Sequence, residues 1–185
     1  MEKNEKILAY SSLYFGMNYS EVKIALRNDK KIVRPAYLNK ADGGIHNLPP
    51  DQDVMYRATF FDNNYLLDFH YTHDDELCRL VFKNESFITA DNFNEGVVEF
   101  DKLIMLIEAK YGTADLQEIG QNIGDYFIAK WEREKEIIVG MNQHPMSDKH
   151  FQIMMVFSYI PLLVLEEQYE KSQDSIFIEN VIDDF

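Results

Sequence analysis

Between Val54 and Phe82 apolar and polar residues follow one another with the two-residue period of half-buried strands. Val54, Tyr56, Ala58 and Phe60 alternate with Arg57 and Thr59, and Tyr65, Leu67, Phe69 and Tyr71 alternate with Asp68 and His70. The polar break Asp62-Asn63-Asn64 predicts a hairpin between these strands, and the polar stretch 72–76 predicts a second turn leading to a third strand over 77–82.

The period then changes. Val97, Phe100, Ile104, Ile107 and Tyr111 recur at three and four, which predicts a long helix over 91–111 with Gly112 as its C-terminal stop. Strand patterns return over 126–132, 136–141 and 151–160, with turns over 132–135 and 144–149. In the last strand Phe151, Ile153, Met155, Phe157 and Tyr159 line one side, the expected core side. Pro161 suits the first turn of a closing helix over 162–171, and the tail 172–185 mixes Ile176, Phe177 and Val181 with acids, so it is expected to dock loosely.

Ahead of the meander, residues 6–15 read as an opening strand ended by Gly16. Asn18 and Glu21 then have the spacing of a capping box for a helix carrying Val22 and Leu26 on one face. The turn formers over 42–50 predict a long loop or irregular hairpin. The order of a helix followed by antiparallel strands thus occurs twice, over 18–82 and again over 91–160. Together these elements predict one α+β domain over 1–185: an antiparallel sheet of about six to eight strands with two or three helices packed on one face.

Composition narrows the setting. Of 185 residues 46% are apolar, enough for a core without staples. The single cysteine, Cys78, cannot close an intramolecular disulfide, and the first residues hold Glu2 and Glu5 and no apolar run of signal length, so a cytoplasmic protein is expected. The 18 basic and 32 acidic residues give a formal charge of −14, which argues against binding nucleic acid or anionic membrane. The excess is uneven: residues 1–92 hold 11 basic and 14 acidic groups, residues 93–185 hold 7 and 18.

Several short stretches resemble the fold group of the β-lactamase inhibitor proteins and the small outer-membrane assembly lipoproteins. Phe15-Gly16-Met17-Asn18-Tyr19-Ser20-Glu21-Val22 looks like that group's glycine and helix opening, residues 69–82 like its central hairpin, Tyr111-Gly112 like its helix end, and Trp131 followed by Ile137-Ile138-Val139 like its tryptophan strand and the next. The resemblance spans about 15–159 and implies short helices packed on an antiparallel sheet, with binding to a protein partner as the expected activity. The chain is expected to depart from the group: its first residues read as neither an export signal nor a lipid-attachment site, and its single cysteine offers no disulfide pair.

No reactive constellation accompanies the fold. His70 and His73 are spaced H-x-x-H, but on a strand and turn that spacing points them to opposite faces, and His46, His144 and His150 have no partner set by spacing. Cys78 sits in an apolar strand, as a buried thiol does. There is no nucleophile elbow, phosphate-binding glycine loop or dinucleotide fingerprint, so neither an enzyme nor a cofactor is expected. Of the strand aromatics Tyr56, Tyr65, Tyr71, Tyr126, Trp131 and Tyr159, most should be core.

What remains is a surface. Arg57, Asp68, His70, Arg79 and Lys130 should form a polar platform on the exposed side of the sheet, with Glu132, Glu134 and Glu136 adding negative charge at a turn. The expected function is that of an acidic protein-binding domain of the immunity or inhibitor type, neutralising a specific, basic protein. A ligand-binding or enzymatic pocket between sheet and helices, using His70, Asp68 and Arg79, is one alternative; a nucleic-acid mimic is another.

Overall fold

Asn18 fixes the start of the first helix. In the computed structural model its side-chain oxygen accepts from the Glu21 N–H at 2.9 Å, while the Glu21 carboxylate accepts from the Asn18 N–H at 2.9 Å, the reciprocal pair that the spacing predicts. The structure describes residues 7–33, 37–39, 44–46, 56–123, 125–143 and 150–183. The capped helix, α1 (Tyr19–Asn28), buries Val22 and Leu26. Ahead of it, the expected single strand is broken at Ser11, whose φ of 52° folds the chain into two short antiparallel strands, β1 (Leu8–Tyr10) and β2 (Leu13–Tyr14).

After α1 come β3 (Ile32–Val33), the small hairpin of β4 (Tyr37–Asn39) and β5 (Gly44–His46), and then the meander β6 (Tyr56–Phe60), β7 (Asn63–Tyr71) and β8 (Leu77–Asn84). The β6–β7 turn falls one residue earlier than expected, at Phe61 and Asp62, which take φ values of 47° and 70°. Two positive values are what a two-residue hairpin turn needs to match strand twist, although neither residue is a glycine. The long helix α2 (Phe93–Tyr111) ends at Gly112, whose φ of 80° is costly for any residue with a Cβ. It is followed by β9 (Leu116–Ile119), β10 (Phe127–Glu132), β11 (Glu136–Gln143) and β12 (Phe151–Ser158). The final helix, α3, runs from Ile160 to Asp183 without a break. The expected helix over 162–171 and separate tail over 172–185 are therefore one element, since no proline after Pro161 and no glycine interrupts it. The expected turn over 144–149, with His144, lies outside the described residues.

Eight strands form one antiparallel sheet in the order β3-β6-β7-β8-β12-β11-β10-β9. That order reads the same way from both edges. A helix and four strands, α1 with β3, β6, β7 and β8, are matched by α2 with β9 to β12, and the last strands of the two halves pair at the centre. The recurrence of helix and strands along the sequence is thus a recurrence in space.

The inner face of the sheet carries the core. Tyr65, Leu67, Leu80, Phe82, Met155, Phe157, Ile137, Val139, Ala129 and Trp131 all point to it and are nearly or fully buried. α1 contributes Val22 and Leu26, and α2 adds Phe100, Leu103, Ile104 and Ile107. Phe100 meets Phe127 edge to face at 5.7 Å, and the Trp131 indole N–H donates to the Gly112 carbonyl at 2.8 Å, fixing the end of α2 on the sheet. α3 adds Leu162 to the core at the end of the sheet. Its Glu166 accepts from the His73 backbone N–H at 2.7 Å, and Tyr169 stacks on the His73 ring at 3.7 Å.

Candidate functional site

The register of the sheet brings the expected polar platform together. On the outer face, Asp68, Val81, Val156, Ile138, Lys130 and Leu116 form one continuous row across six strands. To one side run Arg57, Leu66, Lys83 and Met154; to the other run His70, Arg79, Ser158, Glu136 and Glu132. Seven of the eight platform residues read from the sequence therefore share this face. Glu134 does not: it stands exposed in the turn after β10, and its charge acts on Lys135.

The chemistry of the face is divided between centre and rim. Val81, Val156 and Ile138 make an apolar centre because they alternate with core residues on strands whose inner side is already filled. Around them the charges are paired: Lys83 with Asp68 at 2.6 Å, Arg57 with Glu85 at 2.7 Å, and Lys130 with Glu132 at 2.7 Å and Glu136 at 2.6 Å. Hydrogen bonds to Glu132 and then Glu136 hold the Lys130 ammonium well above the ordinary lysine value. The Arg79 guanidinium donates to the Ser158 hydroxyl at 3.3 Å. Partial desolvation pulls the His70 imidazole below its usual value; Asp68 acts against this shift, while Arg79 and Lys83 reinforce it. Apart from Val81 and Ser158, side chains along these rows are half-buried or exposed. The outer face thus presents an apolar centre framed by a charged rim.

Comparison with family models, curated proteins and solved structures finds no match to this chain. The site therefore rests on its own geometry.

The remaining sequence candidates are placed as follows. His73 lies in the β7–β8 turn, its Nδ1 2.9 Å from a carboxylate oxygen of Glu166, a residue that also lines the cleft beside His70 and Arg79. Cys78 is buried, its thiol raised by desolvation and donating to the His70 carbonyl at 3.3 Å. His150 stacks on Phe87, and His46 belongs to β5. Of the strand aromatics, only Tyr126 is largely exposed, at 81%, and it precedes β10. Among the described residues no three metal-ligating side chains converge.

Sequence reading missed Lys83, Glu85 and the apolar centre itself. The expected third strand stopped at 82, one residue short of Lys83. Val156 and Ile138 carry the alternating signal, but their side was assigned only by register with β8.

Proposed function

We propose that this chain is an acidic protein-binding domain of the immunity or inhibitor type, acting by occlusion and not by catalysis, which grips a specific basic protein with the outer face of its sheet. One observation carries the reading: an apolar centre at Val81, Val156 and Ile138 lies within a frame of ion pairs on the outer face of the sheet, with α3 flanking it only beside His70 and Arg79. A partner's apolar anchor would bury the centre, and the rim would exchange some of its internal pairs for pairs across the interface. The charge of −14 would speed encounter with a basic target. This reading also favours a reducing cytoplasm, where the lone thiol needs no pair.

The test is capture from native lysate at low salt by two forms of the chain, the wild type and a double variant, Ile138→Lys with Val156→Lys. Both positions are half-buried on the outer face, so the variant should fold. The expected result is one basic protein, retained by the wild type and lost by the variant. Retention of the same protein by both forms would remove the outer face from the interaction.

A further inference from the structure

On the opposite side of the sheet a groove of about 980 Å³ opens between the inner face and the C-terminal half of α2. Its walls are apolar, with Leu8 and Tyr10 from β1, Phe60 from β6, Ile107 from α2, and Met155 and Phe157 from β12. The volume lies at the upper end of the range of small-molecule sites.

The rim is of a different character. Lys30, Lys31 and Lys110 line it, all three exposed, and none has a carboxylate partner among the described residues. On the outer face, by contrast, Arg57, Lys83 and Lys130 are each neutralised. A fourth cation lies behind the wall. Lys135 is only 2% exposed, its ammonium donating to the Leu8 and Ala9 carbonyls. That ammonium is 5.4 Å from the Tyr111 ring centroid and 5.5 Å from that of Phe157, two residues that line the groove. The acid that acts on this buried charge is Glu134, exposed in the turn beside it. At the rim, Asp29 precedes Lys30 in the chain and is already engaged by the Ser12 hydroxyl at 2.7 Å and the Lys31 backbone N–H at 2.8 Å. In a chain with 32 acidic and 18 basic groups, four cations thus gather around one apolar cleft.

From this juxtaposition we propose that the groove binds a long-chain alkyl carboxylate as a free monomer, its tail between α2 and the sheet and its headgroup at the lysine rim. The tail removes apolar wall from water, and the headgroup supplies the anion that the cations lack. The site is independent of the outer face and adds a second binding activity to the proposed one.

The experiment is calorimetric titration of the full chain with dodecanoate and dodecyltrimethylammonium below their micellar concentrations and with dodecanol below its solubility limit. Saturable binding at one site is expected, with dodecanoate preferred to both others. Replacing Lys30, Lys31 and Lys110 together by Gln should weaken dodecanoate about tenfold, the order expected for three exposed charges, and leave dodecanol unchanged. Ala109→Trp, at an exposed position that lines the groove, should abolish binding of all three while the fold is kept. Several results would overturn the proposal: no saturable binding, equal affinity for the carboxylate and the quaternary ammonium, or binding that Ala109→Trp leaves intact. Adsorption to anionic phosphatidylglycerol vesicles without binding of monomer would assign the rim to a membrane surface instead. A ligand-free dimer dissociated by Ala109→Trp would assign the groove to a second copy of the chain.

Discussion

Phe82 and Phe157 meet edge to face across the central β8–β12 pair, their ring centroids 5.6 Å apart at 73°. This contact joins the two halves of the sheet, because β8 ends the first helix-and-strand unit and β12 ends the second. Both rings lie at the middle of the core, within a cluster that also holds Tyr10 and Phe60. Phe82→Ala and Phe157→Ala should each destabilise the chain by about 3–5 kcal/mol, the range for a large aromatic removed from a packed core. The double variant should cost less than the two singles together, by about 0.5–1.5 kcal/mol. Urea unfolding of the four proteins closes the cycle, and strict additivity would mean that the two halves are not coupled through these rings.

The β6–β7 turn offers a gain in stability. Phe61 and Asp62 both hold positive φ, an uncommon conformation for residues with a Cβ and costly for a bulky one. Both are exposed, so their side chains contribute little packing. Replacing Phe61-Asp62 by Asn-Gly should raise stability by about 1 kcal/mol without moving the strand register. A rise in the urea midpoint with an unchanged slope is the expected outcome; a fall would mean that Phe61 makes a contact worth more than its backbone strain.

Those two regions also show what the sequence makes legible. Alternation over Tyr56 to Tyr71 revealed both strands and the outward placement of Arg57, Asp68 and His70, because a two-residue period marks face directly. The capping box revealed α1 for an equally local reason. Positive-φ turns at Phe61 and Ser11 left no such mark, since tertiary packing imposes those conformations on residues that do not favour them. β9 was missed because its four residues are all exposed and its pairing with β10 is carried by backbone, which sequence pattern does not report. The outer face was readable in its charged residues but not in its apolar centre: Val81, Val156 and Ile138 come from three strands and become neighbours only through long-range register. The groove was less readable still, since Lys30, Lys31, Lys110 and Lys135 are brought together by three separate elements.

The buried Lys135 predicts a pH dependence. Desolvation holds its amine below the ordinary 10.5, with Lys110 acting in the same sense, while the hydrogen bond it donates to the Tyr111 hydroxyl oxygen and the charge of Glu134 oppose the shift. In the unfolded chain the amine keeps its proton up to that ordinary value; in the folded chain it releases it earlier. Between the two values the unfolded state holds more protons, so stability attributable to this group rises with pH there. Below the folded value the cost of burying the charge is fully present. Relative to Lys135→Met, which fills similar volume without a charge, the wild type should gain stability as pH is raised from about 8 towards the lysine range. Titration of the tyrosines that do not touch Lys135 is common to both proteins and cancels in the difference. A gap between the two urea midpoints that stays constant over this range would show that the ammonium is no less stable inside than in water.

Charge on and around the outer face should act on the rate of encounter more than on the lifetime of the complex. Glu118 and Glu132 lie on the outer rows and Glu134 in the adjacent turn, all exposed, so replacing the three by Gln removes negative charge without opening the core. Lys130 keeps Glu136 as a partner at 2.6 Å in that variant. With a basic partner, the association rate at low ionic strength should fall about tenfold, within the range of electrostatic steering, while dissociation changes little. The difference should fade above about 0.5 M salt, where screening reaches only a few ångströms. Stopped-flow association at several salt concentrations reads both effects. A slower off-rate or unchanged on-rate at low salt would mean that these acids do not guide the partner, and would leave the apolar centre at Val81, Val156 and Ile138 as the part of the face that selects it.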